Sequence, residues 1–262
     1  MPIRRCFALP LLLLAGWPAA VRAQGDPLAT ARAAMQHFDA AAARPALAAA
    51  LEREPGSYEA NWRMAVTLMN LGALASDPAV HARRDSLYAA AETYARRAIA
   101  AKGDGADGHF ALAAALGRTA LTRSTHDRIQ LASEIRAEAL RAIALDPRHD
   151  GAYHVLGRWN AEVERLSGFD RFMARHFLGG AVLGSASWDN AERYLRLAVR
   201  YAPTRIYHRL DLAEVLVDRH EWSAARVELD AIAALPPLEP LDRGYKAQAA
   251  RLEAQVMAKL DP

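Results

Sequence analysis

One pattern recurs along this chain: a small residue, a branched or long apolar residue, and a closing proline or glycine. AVRYAP ends at Pro203 and AIAALPP ends at Pro237, a spacing of 34; AIALDP ends at Pro147, AIAAKG at Gly103 and ALEREP at Pro55. Upstream of the endings a small residue holds one place, Ala43, Ala91, Ala191 and Ala225, with Ile135 the exception. Downstream stand the starts YEANWRMAVTL, ADGHFALAAAL, DGAYHVLGRWN and IYHRLDLAEVL. Each carries a large apolar residue in seventh place (Met64, Leu112, Leu156, Leu212) and a small one in eighth (Ala65, Ala113, Gly157, Ala213). A period of this length marks one supersecondary unit repeated, each burying its apolar face only against its neighbours.

The unit is a pair of helices. Alanine, leucine, arginine and glutamate dominate, β-branched residues are sparse, and no stretch alternates apolar with polar. Proline and glycine fall between the periodic segments, with Pro45 the main exception. Small residues in eighth and twentieth place let two helices cross closely, and the large residue in seventh place fills the gap beside them. The closing proline stops the second helix. On these residues the chain resembles tetratricopeptide-repeat proteins. The expected fold is all-α, a right-handed superhelical solenoid of helix hairpins. The hairpins fall at about 24–55, 58–103, 106–147, 150–203 and 206–237, and a capping helix follows at about 241–259.

The repeat spacing is stretched in places, most of all by an insertion at about 164–187. The stretch GRWNAEVERLSGFDRFMARHFLG, followed by ASWDNAERYLRLAV, resembles the regulator of microtubule dynamics family. The matching residues are Gly157, Arg158, Trp159, Leu166, Ser167, Arg171, Phe177, Gly179, Ala186 and Trp188, and the resemblance covers about 135–260. It implies an interaction protein without enzymatic activity. The family's eukaryotic members are linked to mitochondria and microtubules, an association that does not carry over to a chain with an export signal.

That signal is MPIRRCFALPLLLLAGWPAAVRAQG: a basic start (Arg4, Arg5), an apolar run from about Phe7 to Val21, and small residues before a cleavage point at Ala23–Gln24. The run is shorter than the ~20 residues of a spanning helix and is broken by Pro10, Gly16 and Pro18, so cleavage is expected over anchoring. A periplasmic or secreted protein of 239 of the 262 residues is the expectation. Cleavage removes Cys6, leaving no thiol or disulfide chemistry. It also removes Arg4, Arg5 and Arg22, which takes Lys+Arg from 33 to 30 against 30 Asp+Glu. A formally neutral mature chain gives no reason to expect nucleic acid as a partner.

The densest polar stretch, HDGAYHVLGRWNAEV at 149–163, invites a metal or catalytic reading. The repeat frame argues against both. His149 sits in the turn and Asp150 is placed to cap the incoming helix. His149 and His154 are five apart and share no helix face, whereas a helical metal pair needs three or four. No glycine-rich phosphate loop or nucleophile elbow accompanies them; Asp189 near His176 and Glu214 near His220 are ordinary solvated-helix residues. No catalytic residue, metal or cofactor is expected.

What remains is a surface. First-helix positions two, five, nine, twelve and thirteen line the concave side of such a superhelix. The candidate partner-binding residues there are Trp62, Asn70, Phe110, Arg118, His154, Arg158, Glu162, Tyr207 and Glu214. Aromatic and charged side chains in a groove suit recognition of a protein segment, and an exposed Arg158–Glu162 pair is expected among them. Glu228 and Arg196 are expected on the outer surface. In the insertion, Phe169, Phe172, Met173 and Phe177 form one apolar stripe with Arg171 and Arg175 off it, expected to fold back on the stack. The expected function is a non-catalytic protein- or peptide-binding scaffold. A membrane-surface adaptor working through 164–187 is an alternative, and a hydrolase or metal enzyme hidden in the groove is another.

Overall fold

The computed structural model describes residues 25–75, 81–168, 170 and 180–260. The export signal, the Phe169–Phe177 stripe, Arg171, Arg175 and His176 lie outside them. Eleven α-helices follow one another among the described residues, with no strand: α1 (Pro27–Gln36), α2 (Ala40–Arg53), α3 (Tyr58–Leu74), α4 (His81–Ala101), α5 (Ala106–Ala120), α6 (Thr125–Leu145), α7 (Asp150–Glu164), α8 (Trp188–Tyr201), α9 (Ile206–Asp218), α10 (Trp222–Ala234) and α11 (Asp242–Leu260). A 3₁₀ helix, Gly180–Ser185, precedes α8.

Short polar residues start the helices. The side chains of Asp26, Asp39, Ser57, Ser124 and Ser187 each accept a hydrogen bond from a backbone amide of the first turn, satisfying one of its orphan donors. At α7 the cap is His149, whose Nδ1 accepts from the Ala152 amide at 3.2 Å. This corrects the assignment of that role to Asp150, whose carboxylate is turned to α9 instead. The turn between α9 and α10 needs a left-handed residue, and His220 supplies it at φ 62°.

Successive helices pair as hairpins, α1 with α2 through α9 with α10, and α11 packs on α9 and α10. The crossings are made where the small residues stand: Ala43, Ala65, Ala91, Ala113, Ala191, Ala213 and Ala225 have no exposed surface. At Gly157 an added Cβ would meet Leu195 Cγ at 2.5 Å and the Ala191 carbonyl oxygen at 3.2 Å, so α8 lies against α7 as closely as glycine permits. The large seventh-place residues Met64, Leu112, Leu156 and Leu212 are all buried beside these crossings.

The core forms two main clusters that meet on α7. Trp159 and Val163 join the one built by the first six helices, and Ala161 joins the one built by α8 to α11. Trp159 Nε1 donates to the Ala132 carbonyl at 2.9 Å, tying α7 to α6. Asn160, also buried, accepts from the Ser187 amide at 3.1 Å and so fixes the start of α8. Leu183 of the 3₁₀ helix is buried in the first cluster, which brings the end of the insertion back onto the stack. One expectation fails on the outside: Glu228 is only 8% exposed, because Arg209 Nη1 reaches its carboxylate at 2.6 Å. Arg196 is exposed, as its position implies.

Candidate functional site

The first helices of the hairpins, α3, α5, α7 and α9, touch one another in succession and α11 packs on α9, so together they make one wall of the stack. Its two halves differ. On α3 and α5, Trp62, Val66, Phe110 and Ala114 are half-buried and Asn70 is exposed. The Arg63 guanidinium lies over the Trp62 ring, 4.3 Å from its centroid. Phe110 packs on Gly151, where an added Cβ would stand 2.5 Å from its ring, and its centroid is 4.6 Å from that of His149. Phe110 therefore joins α5 to the start of α7.

From α7 onward the wall's side chains bond to one another. Arg158 Nη1 donates to Asp211 Oδ1 at 2.8 Å, Nη2 donates to Glu162 Oε1 at 3.3 Å, and Glu214 Oε2 stands 3.7 Å from Nη1. The Arg158–Glu162 pair is thus no exposed surface pair but part of a half-buried network, with Asp211 13% exposed. Arg165 extends it to Asp218 at 2.7 Å and Glu162 at 3.0 Å, and Arg128 of α6 reaches Glu162 at 3.1 Å. The carboxylates around Arg158, Asp211 foremost, hold its guanidinium pKa up against the effect of burial. Burial and the Asp211 charge push the Glu214 carboxyl up, while Arg158 and Arg165 oppose them.

Tyr207 is half-buried and packed among other rings. Its ring centroid lies 4.2 Å from that of His208, 4.8 Å from His154 and 6.3 Å from Tyr245, and Arg205 Nη1 donates to its hydroxyl at 2.9 Å. Burial drives its hydroxyl pKa well up. The helix α11 packs against this half: Gln248 donates to Glu214 at 2.6 Å, and the burial that pushes the Tyr245 hydroxyl pKa up is opposed by Arg118 of α5. Of the sequence candidates, Arg118, His154, Arg158, Glu162, Tyr207 and Glu214 meet in this bonded half, while Trp62, Asn70 and Phe110 lie in the other. Sequence reasoning missed Asp211, His208, Tyr245 and Gln248. Asp211 and His208 fall at sixth and third places of the α9 repeat, just off the inner line.

Among the described residues, no group of three or more His, Cys, Asp or Glu is arranged to hold a metal, and no helix is long and apolar enough to cross a membrane.

The Gly157–Arg158–Trp159 stretch has a role for each residue: close packing under Leu195, the hub of the charged network, and the tie to α6. This stretch lies within the match to a family sequence profile described as Regulator of microtubule dynamics protein 1-3, which spans residues 23–257. No curated protein matches the chain. Among solved structures it is similar to TTC0263, a thermophilic tetratricopeptide-repeat protein of Thermus thermophilus. Identity is 18%, with 86% of this chain and 96% of that one covered, at a TM-score of 0.57. It is also similar to pilF of Pseudomonas aeruginosa at 16% identity, covering 89% and 86% of the two chains, with a TM-score of 0.51. These likenesses establish a tetratricopeptide-like superhelix, and the profile match over nearly the whole length establishes the family: this chain belongs to the regulator of microtubule dynamics protein 1-3 family.

Proposed function

We propose that this protein is an exported, non-catalytic scaffold that binds a protein segment along its concave wall, on the α3–α5 half. The observation that carries the reading is the contrast between the two halves. From α7 to α11 the inner side chains bond to one another, whereas Val66, Asn70, Phe110 and Ala114 offer aromatic, aliphatic and amide surface, with Trp62 beside them under the Arg63 guanidinium. Tryptophan is among the residue types enriched at binding hot spots. Membership of the family and a repeat fold whose chemistry lies in its surfaces support a scaffold over an enzyme.

Ala114→Arg tests it. The long cation would extend across the wall from a half-buried position on α5 at the edge of the core. Capture of the native partner should fall tenfold or more, about 1.4 kcal/mol, while Ala137→Arg on the exposed outer face of α6 leaves it intact. Equal capture by both variants would place the binding surface elsewhere. Export rests on the N-terminal pattern; sequencing the protein isolated from the periplasm or medium should read Gln24 or a near neighbour first. Recovery of intact Met1 on a cytoplasmic protein would end that part of the reading.

A further inference from the structure

Three arginines stand over aromatic rings where α6, α7 and α8 meet. Arg136 Cζ lies 5.8 Å from the centroid of the Trp159 ring, Arg148 Cζ 6.0 Å from that of Tyr201 and Arg193 Cζ 4.7 Å from that of Tyr194. The tyrosines form one group: Tyr153 of α7 stacks with Tyr194 and with Tyr201, at 6.2 and 5.7 Å between centroids. Tyr194 packs on the same small core cluster as Leu140 and Ile143 of α6. Arg200 follows Arg193 two turns on, along the same exposed side of α8.

None of these four arginines is ion-paired with a described residue, in contrast to Arg158, Arg165 and Arg205 on the inner wall. The acids of α6 and α8 are engaged elsewhere. Glu134 pairs with Arg96 of α4, Glu138 with His109 of α5, Asp189 with Arg219 and Glu192 with Arg196, and Asp127 accepts from Ser124 at the start of α6. Asp146, at the end of α6, is close and accepts the Arg148 backbone amide at 2.9 Å. Four guanidinium groups thus stand against one carboxylate.

A ring under a guanidinium holds it in place without using its N–H groups. The planar fork is then set in advance for a carboxylate, with less freedom to lose on binding. Packing of an apolar stem on a ring would by itself account for one such arginine. It gives no reason to gather three of them around one seam, with Arg200 beside, since like charges repel.

We propose that this α6–α8 face is a docking surface for an acidic segment of a partner protein, separate from the inner wall. Half-buried Leu140 and Ile143 belong to it on α6, and half-buried Leu197 falls between Arg193 and Arg200 on α8. A segment that carries both carboxylates and apolar side chains meets both features, the carboxylates on the forks and the apolar groups on leucine and tyrosine. A membrane surface fits less well, because it takes up protruding apolar side chains beside cations. The large apolar residues exposed among the described ones are Phe38, Leu74, Leu121, Val227 and Leu238. None belongs to α6, to α8 or to the turn between α6 and α7.

The probe is a fluorescein-labelled peptide with glutamate and leucine at helical spacing, titrated with the full chain and read by fluorescence anisotropy. Its counterpart has glutamine in place of glutamate. The glutamate peptide should bind, more weakly as salt rises, and the glutamine peptide should not. Arg148→Gln with Arg193→Gln, which keeps much of each stem, should weaken binding about tenfold or more. Arg200→Gln alone should weaken it about threefold, and it carries the test should the double variant melt early. Arg226→Gln on the outer face of α10, where Asp230 stands 3.8 Å from the arginine, should leave binding unchanged. So should Ala114→Arg on the inner wall, which separates this surface from that one. Failure of the glutamate peptide to bind, equal affinity for the two peptides, unweakened arginine variants, or equal weakening by Arg226→Gln or Ala114→Arg would overturn the proposal. Phosphatidylglycerol vesicles that lose the Arg148 and Arg193 double variant while the glutamate peptide keeps it would overturn it too, assigning the face to lipid.

Discussion

Arg158 and Asp211 stand 53 residues apart in the chain and 2.8 Å apart at their charged atoms, joining α7 to α9 across the inner wall. Removing the arginine takes from Asp211, 13% exposed, its guanidinium partner and leaves it beside the Glu162 and Glu214 carboxylates. Arg158→Ala should cost about 1–3 kcal/mol in a urea melt, the range for a hydrogen-bonded group left without its partner. Arg196→Ala, on the outside and paired among the described residues with Glu192 one turn away, should change stability by no more than about 0.5 kcal/mol. Equal midpoints for the two variants would mean that the network contributes nothing to the fold.

Two glycines with opposite surroundings give a second test. Gly157→Ala drives a Cβ to 2.5 Å from Leu195, and overpacking of this kind costs about 1–3 kcal/mol. Gly117, within α5, has nothing within 4 Å of an added Cβ, so Gly117→Ala should stabilise by about 0.5–1 kcal/mol through helix propensity. Thermal melts should therefore move in opposite directions. A shift of one sign for both would refute the α7–α8 packing.

Glu59 carries the acid-side prediction. Hydrogen bonds and charge from Arg32 and Arg63 lower its pKa to about 2 against the effect of burial. A depressed carboxylate contributes stability above its unfolded value, near 4.5, and loses it as pH falls toward 2. Its side chain is 28% exposed, so solvent screening limits the contribution to about 1 kcal/mol or less. Glu59→Gln should lower stability by that amount at neutral pH and match the parent near pH 2. A deficit that persists unchanged at low pH would assign the effect to packing instead.

The hairpin register is legible in the sequence because it answers a local demand that every unit repeats. Two helices cross closely only where a side chain is small, so Ala191 and Ala213 stand at fixed spacing from large neighbours. The charged network answers no local demand. Whether Arg158 meets solvent or Asp211 depends on how tightly successive hairpins curl, and the approach of Tyr245 to Arg118 depends on that curl summed over three inner helices. Glu228 shows the same limit on the outside, since its burial is set by Arg209 from the preceding helix. At the start of α7, His149 and Asp150 are both able to cap. The choice goes to His149 because Asp150 is drawn to His208, 58 residues away.

Binding of a partner along the α3–α5 half of the wall is tested most directly by site-specific photo-crosslinking in intact cells. A photoreactive residue at Asn70 or Ala114 should give one discrete crosslinked species. The same probe at Ala137 on the outer face, or at Asn190 at the start of α8, should give none. Crosslinks from the outer positions with silence at Asn70 and Ala114 would contradict the claim and move the binding surface off the groove.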